Sequence, residues 1–267
     1  MAGPVFLSRP PSRAVGGLIA RISGYSSKTK PSWFLETAEL VFPIVFNLGP
    51  PWDIRLGRDG DVNRNSSFTA GLFAGPVAVS CDAGAELLQV DLTPLGASRL
   101  FGGAAAELAA QVVDLRAVDR FEGEYDAIHD QLHGVTDWQV RFELIERFLA
   151  PRFGHAASIH IQKSWRLLAQ GNTVSDTAAA IGWSTRHLRT RFRQETGIRP
   201  VTAARMLRFQ RARTFALCSD NADWADIAAA AGYSDQAHLI RAFHEFAGEL
   251  PTTWARSVRP SEPRLHL

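Results

Sequence analysis

Cysteine is scarce: the 267 residues hold two, Cys81 and Cys218. So distant a pair builds neither a disulfide framework nor a zinc ribbon, and a reducing cytoplasm is the simplest compartment. Neither has a companion cysteine or an activating basic neighbourhood, so both read as core thiols. Lysine is nearly absent (Lys28, Lys30 and Lys163), which leaves arginine to carry almost all positive charge. Long apolar runs are missing too. The longest charge-free stretch, Asn65 to Cys81, is broken by Ser66, Ser67, Gly71, Gly75 and Pro76. It falls short of the ~20 apolar residues that a spanning helix needs, so no membrane crossing is expected. Arg9 and Arg13 sit where a secretory signal would carry its apolar centre, and export is not expected either. No histidine precedes His129, which removes the histidine cluster that a barrel metalloenzyme needs on its strands. Phosphate-cradling glycine loops and nucleophile elbows are likewise missing.

What is present is ordinary globular composition, 46% hydrophobic and 21% charged, at a length that favours two domains. The net charge of +2 hides an asymmetry. Residues 1–154 hold 14 Lys+Arg against 18 Asp+Glu, a net −4; residues 155–267 hold 15 against 9, a net +6. Only the second half is therefore expected to meet a polyanion.

The first half reads mainly as strands, at Leu40–Leu48, Ser66–Ala74, Val77–Cys81 and Glu86–Leu92, punctuated by glycine and proline as in a small barrel or sandwich. Helical patterns follow at Leu95–Leu100 and Ala104–Val112. Two amphipathic stretches then place Phe121, Tyr125, Ile128 and Leu132 on one stripe and Trp138, Phe142, Ile145 and Leu149 on another. Gly134 separates them, which predicts a helical hairpin. Val140, Leu144 and Phe148 widen the second helix's apolar face, and that surplus is expected to mediate a homodimer. From Pro151 onward the pattern is helical, with a boundary near Pro151–Ala157.

The second half contains an internal repeat. Thr177-Ala178-Ala179-Ala180-Ile181-Gly182-Trp183-Ser184 aligns with Ile227-Ala228-Ala229-Ala230-Ala231-Gly232-Tyr233-Ser234 at an offset of 50 residues. Leu188, Phe192, Gly197 and Pro200 then match Leu239, Phe243, Gly248 and Pro251 at an offset of 51, because the second copy gains one residue. Small alanines allow close helix approach, the glycine turns the chain, and Ser184 or Ser234 can cap the next helix. Leu188 and Phe192, like Leu239 and Phe243, pin that second helix to the first. The pattern is that of two helix-turn-helix units, whose second helices enter the DNA major groove. The first such helix displays Arg186, His187, Arg189, Thr190, Arg191 and Arg193, residues suited to guanine edges and phosphates. The second displays Asp235, Gln236, His238 and Arg241, less charged and with an amide suited to adenine.

Residues 155–256 resemble the DNA-binding domain of the AraC/XylS family of bacterial transcription regulators. The likeness spans both units, the connecting segment Arg205–Ala212 and the closing run Gly248-Glu249-Leu250-Pro251-Thr252-Thr253-Trp254-Ala255-Arg256. Its second unit shows Gly232-Tyr233-Ser234-Asp235 and then His238-Leu239-Ile240-Arg241-Ala242-Phe243. Two positions depart: Leu239 replaces the usual aromatic, and Thr190 stands where arginine is usual. The resemblance implies base or groove contact from Arg186, Arg189 and Thr190 in the first unit and from Gln236, His238 and Arg241 in the second. More weakly, the first half resembles the β-rich sensor domains of such regulators.

The fold class expected is α+β: a β-rich, barrel-like domain with a helical hairpin over residues 1–152, then an all-α domain with two helix-turn-helix units over 153–267. The function expected is sequence-specific transcription regulation in the cytoplasm, without a chemical step, metal or cofactor. DNA contact is expected from Arg186, His187, Arg189, Thr190, Arg193, Gln236, His238 and Arg241. Double-stranded DNA, RNA polymerase, a second copy of the chain and a small-molecule effector are the partners. Trp33, Phe34, Phe42, Phe46, Trp52, Phe68 and Phe73 are candidates for an effector pocket, although most read as core. His129 and His133 have metal-ligand spacing, yet Asp130 stands where a zinc hydrolase helix carries glutamate. The alternative function is an enzyme or DNA-repair protein targeted to DNA by the second half.

Overall fold

The computed structural model describes residues 5–29, 33–154, 158–218 and 223–258. Its strands are β1 (Val5–Arg9), β2 (Ile19–Ser27), β3 (Phe34–Glu36), β4 (Phe42–Asn47), β5 (Trp52–Leu56), β6 (Val62–Asn65), β7 (Phe68–Ala70), β8 (Val77–Cys81), β9 (Ala85–Leu92) and β10 (Val112–Asp114). They form two antiparallel sheets, ordered β1-β2-β9-β4-β7-β10 and β3-β8-β5-β6.

The six-stranded sheet is the central layer, and strand alternation assigns its two faces. Val45 and Leu87 point toward the smaller sheet and pack with Trp52, Ile54, Phe68 and Val79. Phe42, Ile44, Phe46, Leu88, Val90 and Leu92 point the other way, toward the helices. Burial on both sides explains why β4 reads from sequence as a near-continuous apolar run; β9 is buried on both sides as well, with Gln89 and Asp91 among its buried residues.

Helix α1 (Pro94–Phe101) is capped by the Thr93 hydroxyl, which accepts a hydrogen bond from Gly96 N–H at 3.0 Å. The next expected helix, Ala104–Val112, is not formed. A 3-10 segment at Gly102–Ala106 ends it, and Val112 pairs with Ala70 in β10. The hairpin forms as α2 (Tyr125–His133) and α3 (Trp138–Leu149), with Phe121 in the 3-10 turn before it. Its outer face is smaller than expected. Phe148 packs on Phe46 and Phe121 and Leu144 is half-buried against the core, so Val140 alone of the three remains exposed. The helical half contains α4 (Ile159–Ala169), α5 (Val174–Ala180), α6 (Thr185–Thr196), α7 (Pro200–Leu217), α8 (Trp224–Ala231), α9 (Gln236–Phe246) and α10 (Pro251–Val258). The expected boundary falls partly on His155–Ala157, outside the described residues.

The two halves are joined by polar and apolar contacts. Arg21 on β2 pairs with buried Asp91 on β9 and lies 3.8 Å from Glu39; Glu39 in turn binds Arg213 of α7 at 3.0 Å. Burial pushes the Asp91 carboxyl up to about 6, against the pull of Arg21 and a hydrogen bond from Gln89. Ala38 N–H donates to the Phe246 carbonyl at 2.7 Å, and Arg58 donates to the Gly248 carbonyl. Gly197 sits against Ala106 and Ala109, and Gly248 against Pro76 and Leu35.

Sheet and hairpin also approach closely at Gly24. A Cβ there would lie 2.3 Å from Trp138 Cε3, so the indole occupies the space a side chain would need. Gly24→Ala is expected to destabilise the chain by about 1–3 kcal/mol through overpacking. Urea unfolding checks this; an unchanged midpoint would show that Trp138 moves aside freely.

Candidate nucleic-acid interface

Each unit of the repeat is built from the same local bonds. Thr173 caps α5, its hydroxyl accepting from Asp176 N–H at 3.1 Å. The helix ends at Gly182 (φ +74°), where Trp183 N–H donates to the Ala178 carbonyl at 2.9 Å. In the second unit Asp223 caps α8, Gly232 (φ +83°) ends it, and Tyr233 N–H reaches the Ala228 carbonyl at 2.8 Å. Buried Ala178 and Ala228 allow the close approach that the alanine runs suggested.

The units differ at the next cap. Ser184 caps α6 by accepting from His187 N–H at 3.1 Å. Ser234 does not cap α9. The inserted residue passes that task to Asp235, whose carboxylate accepts from His238 N–H at 2.7 Å, while Ser234 donates to the other carboxylate oxygen. These bonds hold the Asp235 carboxyl below its usual range.

On α6, Leu188, Phe192 and Thr196 are buried at four-residue intervals. Arg186, Arg189, Thr190 and Arg193 are exposed at i, i+3, i+4 and i+7, which makes them one solvent-facing stripe. The other two residues of the helix's polar set are held locally. The His187 ring packs edge-on to Trp183, itself stacked on His160, and Arg191 is paired with Glu195 at 3.2 Å. Thr190 Oγ donates to the Arg186 carbonyl at 3.2 Å, leaving the three guanidinium groups to dominate the stripe.

On α9, Gln236 and Arg241 are exposed, while His238 is held by Ser234 at 3.3 Å and by the Tyr233 ring. Applying the 51-residue offset to the α6 stripe gives Ala237, Ile240, Arg241 and His244, all exposed or half-buried. Ala237, Ile240 and His244 stand outside the expected contact set because their residue types give no signal for DNA contact; the 51-residue offset is the signal that points to them. The second face is the less charged of the two.

The remaining candidates fall elsewhere. Phe42, Phe46, Trp52 and Phe68 are core, Trp33 is exposed, and the space beside Phe68 and Phe73 is about 40 Å³, too small for an effector. His129 Nε2 lies 2.9 Å from the Asn47 carbonyl, and among the described residues no group of three or more metal-binding side chains converges. Cys81 is buried as expected; Cys218 is exposed rather than core. No helix among the described residues is long and apolar enough to cross a membrane.

Residues 177–257 match the model of a family described as a helix-turn-helix domain. Among curated proteins none matches the chain by sequence. Among solved structures, ToxT from Vibrio cholerae O395 is similar at a TM-score of 0.53 and 7% identity, over 96% of this chain and 98% of that one. Unsaturated fatty acid-bound ToxT from Vibrio cholerae strain SCE256 gives 0.51 at 8% identity, over 97% and 98%. These likenesses establish the two-part fold.

The cap assignment is open to direct test. Ser184→Ala is expected to cost about 1 kcal/mol in thermal or urea unfolding, the usual loss for an N-cap hydroxyl. Asp235→Ala should also destabilise, and Ser234→Ala should do so less than either. Equal losses at Ser234 and Asp235 would contradict the shifted cap.

Proposed function

We propose that this chain, a transcription regulator of the AraC/XylS family by its C-terminal domain, reads DNA with α6 and α9 in two successive major-groove segments. The observation that carries this reading is the doubled helix-turn-helix unit with the stripe of Arg186, Arg189 and Arg193, which has no ion-pair partner among the described residues. In the same proposal Thr190 and His187 line the edge of the first contact. Gln236, His238 and Arg241 make the second, which depends less on charge. Residues 1–152 form the sensing and assembly part and 153–267 the reading part, and the chain works in the cytoplasm beside RNA polymerase without a chemical step of its own. That a related fold is known with a fatty acid bound supports a small-molecule effector here.

The test uses the full chain. Selection from a random DNA pool should yield a defined site, and footprinting should show two protected segments about 34 Å apart on one face of the duplex. Protection of one segment alone would refute the bipartite mode. Arg189→Ala should cost ~1–3 kcal/mol and relax preference at one or two base positions, as expected for contact with a base edge. Arg191→Ala, already paired with Glu195, should cost less. A uniform loss on all sequences with a shallower salt slope would make Arg189 a phosphate contact instead.

Assembly as a homodimer completes the proposal, with Val140 and Leu144 of α3 as the contact; two copies would lengthen the DNA site and raise affinity through effective concentration. Light scattering of the full chain at tens of micromolar should give twice the monomer mass, and Val140→Glu with Leu144→Glu should halve it. A monomeric wild type would sink the idea, and a dimer indifferent to both charges would move the interface elsewhere.

A further inference from the structure

The 51-residue offset pairs each position of the α6 stripe with one on α9: Arg186 with Ala237, Arg189 with Ile240, Thr190 with Arg241 and Arg193 with His244. Where α6 shows three guanidinium groups, α9 keeps one, and its first two positions turn aliphatic. Neither aliphatic residue holds the helix in place. Leu239, Ala242, Phe243 and Phe246 do that from the buried face, while Ala237 is exposed and Ile240 is half-buried outside the apolar core clusters. A lone isoleucine at a surface is ordinary; this one holds the register that Arg189 holds on α6. Charge also withdraws from the start of α9. Ser184, a neutral hydroxyl, caps α6, but the Asp235 carboxylate caps α9, accepting from His238 N–H at 2.7 Å. A negative charge two residues before Ala237 repels phosphate oxygens and leaves that end to contacts of another kind. Gln236, exposed one turn before Ile240, makes no side-chain hydrogen bond with the described residues.

We propose that Ile240 reads a thymine methyl group in the major groove, with Ala237 leaving room for that approach and Gln236 bonding the adenine of the same or the adjoining pair. The C5 methyl of thymine is the one apolar group that the major groove offers, and adenine N6 and N7 suit an amide. Both lie on the same edge of an A·T pair. Four residues of helix advance about 6 Å, less than two base-pair steps of about 3.4 Å, so side chains one turn apart address the same or neighbouring pairs. Given the DNA-reading function proposed above, on which this assignment rests, the two DNA segments differ in base chemistry. The segment under α6 is chosen by guanidinium groups, and the segment under α9 by an apolar contact and an amide on A·T pairs.

The test uses the full chain and the duplex it selects from a random pool. Thymines of that site are replaced one at a time by deoxyuridine, which keeps the pairing and removes only the methyl group. Fluorescence anisotropy should show about a fourfold loss of affinity at one thymine, the worth of burying one methyl group. That thymine should lie outside the positions whose preference Arg189→Ala relaxes. Ile240→Ala should weaken binding to the thymine duplex and lose most of the difference between thymine and uracil, which separates the contact from any change in the duplex itself. Ile240→Arg, which copies α6, should shift selection at that position from thymine to guanine. Tolerance of uracil at every thymine, a uracil penalty undiminished in Ile240→Ala, or a selected site without a thymine would each overturn the assignment. Sequence-specific binding would survive all three outcomes, and with it the DNA-reading function. A chain that selects no site at all would overturn both.

Discussion

The seating of helices α6 and α9 on the β-rich half turns on a pair of glycine corners. Gly197 and Gly248 occupy equivalent places in the repeat, each just past the end of a reading helix and each with positive φ, +77° and +75°. Both are seated on the β-rich half. A Cβ on Gly197 would lie 2.3 Å from Ala109 Cβ, and one on Gly248 would be 3.1 Å from Pro76. Helix α7, 18 residues and about 27 Å long, separates the units; the corners fix them against one common body. A residue with a side chain at either corner meets strain and crowding at once, because left-handed backbone and close contact coincide there. The Ala38–Phe246 and Arg58–Gly248 hydrogen bonds reinforce the second seat, and the 3-10 segment Gly102–Ala106 together with the following turn supplies the first.

The repeat was legible because its signals are local. Alanine runs, turn glycines and capping side chains act within a few residues, so helix, turn and helix appear in the sequence as they do in space. Strands buried on both faces, β4 and β8, were legible for a related reason: their apolar runs need no knowledge of neighbours. Strand β2 was not. It carries Arg21, Ser23, Gly24 and Ser26, and owes its place to partners far along the chain, Asp91 for the arginine and Trp138 for the glycine. The segment 104–112 misled because alanine favours helix locally, whereas pairing of Val112 with Ala70 is decided by the sheet.

The candidate interface divides in the same way. Which residues of α6 and α9 are exposed followed from periodicity, but which charges remain free did not. Arg191 and Arg193 differ by two places in an arginine-rich run; one is neutralised by Glu195 and the other is not, and only the contact geometry separates them. Ser234 resembled a cap until the inserted Asp235 took over the bond to His238. The hairpin's Leu144 and Phe148 looked like surplus apolar area, yet both pack against the core beneath the six-stranded sheet.

The helix-facing side of the six-stranded sheet and the helical half share one apolar core, while a second cluster fills the space between the two sheets. One cluster runs from Val15 and Phe42 through Leu100 and Phe142 to Phe192, Phe209 and Trp254, crossing from strands to reading helices. Neither half can lose its packing without baring apolar surface on its neighbour, so melting of the two is thermodynamically tied. In the proposed DNA-reading mode, free energy gained where α6 and α9 meet a duplex is then not confined to the helices. It raises the opening cost of strands that never approach the DNA, and slows hydrogen exchange and proteolysis throughout the sheet.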